Sequence, residues 1–435
     1  LFDTEEHYRI NAFDWEAEFP EILTAKNAKK DKEKGFDAVI GNPPYGGKIS
    51  KSEVYYLTSK YPLIKDFPDS YCYFMVRGVK LLRDGGALSY IVPNTFCDLE
   101  SCTNFREWFL SETTVSFIWQ TGWAFKSAVV DTLVFGVEKS SSPASHSVAV
   151  SEGDSNYLRT IESFLKNDLH KIDYRNSDRD RLLLTSVFKS ANVVPLKDLA
   201  TVRAGVKLYE KGKGDPPQTP DTLKNRPYTV RGECPDGWRV LYRGTSVRRY
   251  SLVSPVEFVH YGPWLAAPRK PEMFTEPKLL MRRTDDRLMA SKDTSGAVCV
   301  NSCHVIQLKG EGGRVTTLSY LLGLLNSKLL QVIFDLSNPQ MVGKVFAEIK
   351  VIYVSRLPIR IIDFNNADDK SKHDRMVQLV DRMLELHKQL QAAKTSHDKT
   401  VLQRQIAATD NQIDRLVYDL YDLTEEEIAI LEGEE

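Results

Sequence analysis

Two short apolar runs, each stopped by a proline turn, constrain the first third of this chain more than anything else in it. Phe36-Asp37-Ala38-Val39-Ile40-Gly41 leads into Asn42-Pro43-Pro44-Tyr45-Gly46-Gly47, and residues 87–92 lead into Pro93-Asn94. Both runs read as buried strands. Between them Tyr73, Phe74, Val76, Val79 and Leu82 recur at helical spacing over 70–82, and Asp84-Gly85-Gly86 reads as the stop of that helix. Another helix is expected over 103–110, strands over 115–119, 131–137 and 146–150, and a helix over 157–167. Strands alternating with helices predict an α/β fold whose parallel sheet carries helices on its faces.

The charged stretch 168–181 suggests a domain boundary near residue 190. From 191 to 365 Pro, Gly and aromatic residues interleave with Arg and Lys, as in Tyr228, Arg231, Trp238, Arg239, Tyr242 and Trp264. That pattern predicts a mixed α/β domain with long surface loops and one clear helix over 318–334. In the last part, 366–435, Met376, Met383 and Leu390 recur every seven residues, as do Ile406, Ile413 and Leu420. Two helices folded as a hairpin, turning within 393–399, satisfy both stripes. Thr424 and Glu427 form a capping box for a short final helix. The hairpin is expected to pack on the middle domain, with self-association as the second option; a monomer is the favoured state.

Net charge is −1, which excludes a uniformly basic nucleic-acid binder, but the charge is unevenly spread. Residues 201–293 hold 18 Lys+Arg against 11 Asp+Glu, and residues 366–435 hold 9 against 16. A basic middle suits a phosphate-contacting surface. No apolar run reaches the roughly 18 residues a membrane span needs, so no membrane partner is expected. The six cysteines include no Cys-x-x-Cys, and Cys299, Cys303 and His304 lack a fourth ligand at zinc spacing, so no metal is expected. Neither Met nor a secretory signal opens the chain, which reads as a piece of a longer protein.

The turn at 42–45 carries the chemistry. In open α/β sheets, ligands bind beyond the carboxyl ends of strands. An aromatic amine is a poor nucleophile because its lone pair is delocalised into the ring. The Asn42 side chain and the Pro43 carbonyl offer two acceptors for the two amino hydrogens, which would draw the nitrogen toward tetrahedral geometry. Pro43 and Pro44 would hold these acceptors preorganised. Tyr45 offers a flat face for an extruded base.

FDAVIGNPPY resembles motif IV of the gamma-class adenine-N6 DNA methyltransferases. The resemblance continues through Asp69-Ser70-Tyr71, Gly85-Gly86, Ile91-Val92-Pro93-Asn94-Thr95-Phe96, Phe125, Ala128-Val129-Val130-Asp131-Thr132, the LGLLNS stretch at 322–327, Leu357-Pro358 and residues 416–433. As a whole the chain is similar to the C-terminal part of single-chain type IIG restriction-modification enzymes. That likeness implies a partial Rossmann-like methyltransferase sheet over 1–190, a target-recognition domain over 191–365 and a helical tail over 366–435. It implies that Asn42, Pro43, Pro44 and Tyr45 are catalytic, that Tyr45 and Phe125 hold the flipped adenine, and that Asn11, Phe13 and Asp14 touch the cofactor. Asn11 stands where the family usually has Asp, and Asp14 is its rival. The methyl donor implied is S-adenosylmethionine, with no metal in the transfer; the partner is double-stranded DNA and the setting a prokaryotic cytoplasm. The family's Gly-rich cofactor loop is expected upstream, so weak cofactor binding and little activity are expected of this chain alone.

Type IIG enzymes also carry a nuclease. Pro235-Asp236 with Glu276-Pro277-Lys278 imitates a metal-dependent nuclease pattern, but Pro277 disturbs the strand that would present it. The expected DNA contacts are Arg243, Arg248, Arg249, Arg269, Lys270, Lys278, Arg282 and Arg283, with Lys278, Arg282 and Arg283 on a DNA-facing strand. The alternatives are a non-catalytic specificity module and a nuclease-free phage-defence methyltransferase.

Overall fold

In a computed structural model the described residues are 13–24, 34–46, 49–67, 69–122, 131–153, 155–253, 256–310, 312–338 and 348–433. They separate into two units, Leu1–Asp178 and Arg179–Glu435.

The first unit runs α1 (Trp15–Glu18), β1 (Phe36–Gly41), α2 (Lys51–Lys60), α3 (Ser70–Leu81), β2 (Leu82–Pro93), α4 (Thr103–Glu112), β3 (Thr114–Gly122), β4 (Thr132–Glu138), β5 (Ser147–Glu152) and β6 (Ser155–Thr160). The six strands form one sheet in the order β1-β2-β4-β3-β5-β6. Only β1/β2 and β3/β5 pair in parallel. β4 enters between β2 and β3, antiparallel to both, so the sheet is mixed rather than the parallel one expected.

Three further expectations change. β1 lies at the sheet edge with Ile40 87% exposed, so it is not a buried strand. An apolar run shows that a strand wants neighbours, not how many it has. Gly85 and Gly86 do not cap α3, which ends at Leu81. They lie within β2, where Gly85 has φ +73° and a Cβ on Gly86 would lie 2.9 Å from the Phe36 carbonyl oxygen. Residues 155–160 are strand, with a helix only over Ile161–Leu165.

Burial of the sheet's inner face explains the rest of the unit. Tyr71, Met75, Val76 and Val79 of α3 are buried with Leu88, Tyr90 and Val92 of β2. Phe135 on β4 meets Phe109 on α4 edge-on at 5.4 Å. The Arg106 side chain of α4 is wholly buried and donates to the carbonyls of Phe96, Leu99 and Leu169 at 2.8, 2.6 and 2.8 Å. Holding three backbone carbonyls at once, it anchors the turn that follows β2.

The second unit holds two four-stranded sheets. The strands of these two sheets are β7 (Ala200–Ala204), β8 (Thr229–Arg231), β9 (Arg239–Tyr242), β10 (Glu257–Val259), β11 (Lys278–Arg282), β12 (Ala290–Asp293), β13 (Val298–Cys299) and β14 (Cys303–Leu308). The sheet orders are β12-β11-β14-β7 and β13-β9-β10-β8. The helix expected over 318–334 is two, α5 (Leu318–Leu325) and α6 (Lys328–Ser337). Ser327 caps α6 by accepting from the Leu330 amide, and the Asn326 amide group exchanges two hydrogen bonds with the Ala290 backbone, at 2.9 and 3.0 Å. Those bonds turn the chain where periodicity alone reads straight through.

The tail forms α7 (Ala367–Ala392) and α8 (Ser396–Leu420), followed by the capped α9 (Glu425–Glu432). Met376, Val380, Met383, Ile413 and Val417 share one core with Leu321 and Leu324 of α5 and with Leu279 and Met281 of β11. Gly323 permits the approach: a Cβ there would lie 2.4 Å from the Met376 sulfur. None of the described helices is long and apolar enough to cross a membrane.

Candidate active site

Beyond the carboxyl end of β1 the chain turns through Asn42-Pro43-Pro44-Tyr45-Gly46. Pro43 is buried, Asn42 and Pro44 are exposed and Tyr45 is half-buried against the core of the first unit. The loop is fastened from one side. Ser70, the first residue of α3, donates its hydroxyl to the Pro44 carbonyl at 2.6 Å, and the Gly46 amide donates to Asp69 Oδ1 at 3.3 Å. The next residue, Tyr71, is buried and shares a hydrogen bond of 3.0 Å with Thr95 in the turn after β2. Burial pushes its phenol far above the usual range, so it stays neutral.

What remains free matters more. Among the described residues neither the Asn42 side chain nor the Pro43 carbonyl takes part in a hydrogen bond, while the adjacent Pro44 carbonyl does. The free pair borders an open cleft of about 830 Å³, whose wall includes Phe13, Tyr61, Phe74 and Tyr90. Phe74, expected on the core face of its helix, is 47% exposed here. A cleft of this size with mostly apolar walls and a few convergent acceptors has the character of a small-molecule or nucleobase site.

Phe13 lines the same cleft, 57% exposed, with its ring 4.9 Å from that of Trp15. Asp14 caps α1: its Oδ1 accepts from the Glu16 and Ala17 amides, each at 3.1 Å. Asn11 and Phe125 lie outside the described residues. Sequence reasoning gave Ser70 no role; its signal was its place beside Asp69 at a helix start. Two Gly-x-Gly sequences, Gly212-Lys213-Gly214 and Gly310-Glu311-Gly312, belong to the second unit. Gly214 is a tight turn in which a Cβ would lie 2.4 Å from the Trp264 carbonyl oxygen.

Residues 2–125 match the Eco57I restriction-modification methylase family, and residues 239–359 match the TaqI-like C-terminal specificity domain. The chain is thus similar to an Eco57I-type methylase over one stretch and to a TaqI-like specificity domain over a later one. It is 25% identical over 428 residues to a putative type II restriction enzyme and methyltransferase of Methanocaldococcus jannaschii, covering 96% of this chain and 33% of that one. It is 31% identical over 113 residues to a type II methyltransferase of Thermus thermophilus, covering 24% of this chain and 26% of that one. The chain thus spans about a third or less of the length of these curated relatives. Among solved structures, the type IIL restriction-modification enzyme MmeI in complex with DNA aligns over 92% of this chain and 57% of its own, at 12% identity and a TM-score of 0.48. The type IIG restriction endonuclease BpuSI aligns over 89% and 54%, at 13% identity and a TM-score of 0.31.

In the specificity region, most cations expected on DNA are already engaged. Arg243 pairs with Glu257 through two contacts of 2.6 Å, and holds that carboxyl below its usual range. Arg249 binds both oxygens of Asp410 on α8, at 2.9 and 2.8 Å. Arg282 meets Asp285 at 2.9 Å, and Arg283 meets Glu348. Lys278 is fully buried, 2.5 Å from Asp293. It therefore does not face DNA, and it is not free to serve the nuclease pattern with Asp236 and Glu276. The reason is the strand's place: β11 lies between β12 and β14, and its residues 278–281 are all buried. Arg248 and Lys270 are exposed, as is Arg269, whose Nε donates to the Gly205 carbonyl at 3.2 Å. Cys299, Cys303 and His304 are buried, with His304 Nε2 2.6 Å from the Ile349 carbonyl oxygen.

Proposed function

We propose that this protein takes part in transferring a methyl group from S-adenosylmethionine to the N6 amino group of adenine in a specific duplex DNA sequence, within a restriction-modification system. The observation that carries this reading is the free pair of acceptors, Asn42 Oδ1 and the Pro43 carbonyl, on a proline-stiffened loop at the mouth of a cleft. Each accepts one hydrogen of the amino group, which localises the lone pair on nitrogen; the rigid loop aims both acceptors before the reaction starts. Tyr45 stacks on the extruded base. The cofactor supplies an electrophilic methyl group on a sulfonium. When bound, it would supply that methyl to the nitrogen whose lone pair Asn42 and the Pro43 carbonyl localise, leaving as the neutral thioether, and the methylated amine would give up one proton to water. No strong general base is needed. Phe13, exposed on the same cleft, fits the flat part of the cofactor, and Asp14, the next residue, is proposed as a polar contact to it. Phe125 makes a second base contact, and the setting is a prokaryotic cytoplasm.

The test is transfer of labelled methyl from S-adenosylmethionine to duplex DNA, by this chain and by a form extended with upstream coding sequence. Asn42→Ala is expected to lower the rate by ~10²-fold or more, with DNA binding kept. Unchanged methylation in Asn42→Ala rejects the reading. DNA binding with no transfer in either form favours a non-catalytic specificity module.

A further inference from the structure

We propose that a row of stacked rings at one end of the sheet β13-β9-β10-β8 is the surface this protein lays against duplex DNA; this rests on the specificity reading and names the face that performs it. In that sheet Arg239 pairs with Val259 and Val259 with Thr229. One position further out, Trp238, His260 and Tyr228 continue the same row, and the His260 amide donates to the Tyr228 carbonyl at 3.0 Å. Residues opposite one another across a sheet share a face. Trp238 and His260 stack with centroids 5.3 Å apart and planes 15° apart. His260 meets Trp264 at 4.3 Å, Trp264 meets Tyr228 at 6.2 Å, and Tyr228 stacks on Tyr209 at 5.8 Å and 8°.

The array is braced from behind. The Trp264 indole N–H donates to the His260 carbonyl at 2.9 Å, the Tyr228 amide donates to the Tyr209 hydroxyl at 2.9 Å, and a Cβ on Gly262 would lie 2.4 Å from the indole. His260 is exposed and the other four rings are half-buried. Tyr209, Tyr228 and Trp264 pack against the core on one side, and all five rings still reach solvent.

Its charge indicates the partner. Arg226 stands over the Tyr209 ring at 5.9 Å, and Arg231 lies on β8. Both are exposed and, among the described residues, neither has an ion pair, because the nearby Glu257 is already bound by Arg243. Residues 224–243 hold five Lys+Arg against two Asp+Glu, Glu233 and Asp236, both in the segment leading to Trp238. Duplex DNA offers phosphates to the arginines and sugars, thymine methyls and partly unstacked bases to the rings.

The experiment is titration of this chain with a fluorescent duplex across a range of KCl concentrations. The Arg226→Ala/Arg231→Ala variant is expected to bind more weakly and to lower the slope of log affinity against log salt by about 2. Trp238→Ala is expected to weaken binding about tenfold, with Trp238→Phe close to wild type. Arg283→Ala, which removes an already paired cation, leaves affinity and slope unchanged. Wild-type binding that survives both the arginine variant and Trp238→Ala, with their melting curves unaltered, overturns the proposal and leaves the specificity reading standing. Failure of the wild-type chain to bind duplex at any salt sinks both.

Discussion

At the tip of β1 the Asn42 side chain and the Pro43 carbonyl have no hydrogen-bond partner among the described residues, whereas in the stretch that matches the specificity domain Arg243, Arg249, Lys278, Arg282 and Arg283 each meet a carboxylate. A polar group that folding has already satisfied has little left to offer a ligand, since any new contact must first break an old one. An acceptor at a cleft mouth that the fold leaves unpaired can bond water and stays available to a ligand. Arg226 and Arg231, by contrast, have no ion pair among the described residues.

The largest effect that can break this contrast concerns Lys278. Lys278→Met would leave Asp293 buried with its charge uncompensated, at a cost of ~3–5 kcal/mol. Arg283→Ala, at a partly exposed pair, is expected to cost under about 1 kcal/mol. Urea unfolding of the two variants measures both. Equal costs would show that the Lys278 pair is no more structural than a surface one.

A smaller effect tests a carboxylate that folding serves poorly. Burial raises Asp414 to about 6, with Asp410 and Glu432 adding to the rise and the Lys328 amide and Arg249 opposing it. The folded state thus holds this proton more tightly than the unfolded chain, whose Asp titrates near ~3.9. The proton's contribution is present below ~4, declines as pH rises through about 6, and is gone above it. Asp414→Asn keeps an oxygen for the Lys328 amide, now accepted at 2.8 Å. It is expected to stabilise by about 1–3 kcal/mol near pH 8 and by almost nothing near pH 4. Denaturation midpoints at the two pH values decide it; an equal gain at both would mean that the Asp414 charge is not the cause.

Much of the molecule was legible in the sequence where the signal is local. The strand-then-turn at 36–45, the helix at 70–81, the seven-residue stripes of the tail and the Thr424 capping box each depend on residues a few positions apart. What escaped depends on distant partners. Nothing near Arg249 announces Asp410, which is 161 residues away, or the Arg283 pairing with Glu348, 65 away. Likewise the exposure of Ile40 follows from β1 having one neighbour among the described strands, a property of the sheet and not of the run. The ring row was half legible: Tyr228, Trp238 and Trp264 stood out among the arginines, but only the register of three strands brings His260 between them.

The finest test returns to the loop. If the free acceptors work because the loop cannot move, the Ser70 hydroxyl on the Pro44 carbonyl is part of what holds them, and Ser70 is a positioning residue. Ser70→Ala removes one hydrogen bond, worth ~1 kcal/mol, from a partner that does not touch the base. Methyl transfer is therefore expected to slow by roughly five-fold, with KM for DNA unchanged and Ser70→Thr restoring the rate. A merely structural loss would lower the melting temperature and spare kcat. An Ser70→Ala protein with wild-type kcat would mean that Pro43 and Pro44 alone stiffen the turn, so that the rigidity of this site is written entirely in its own four residues.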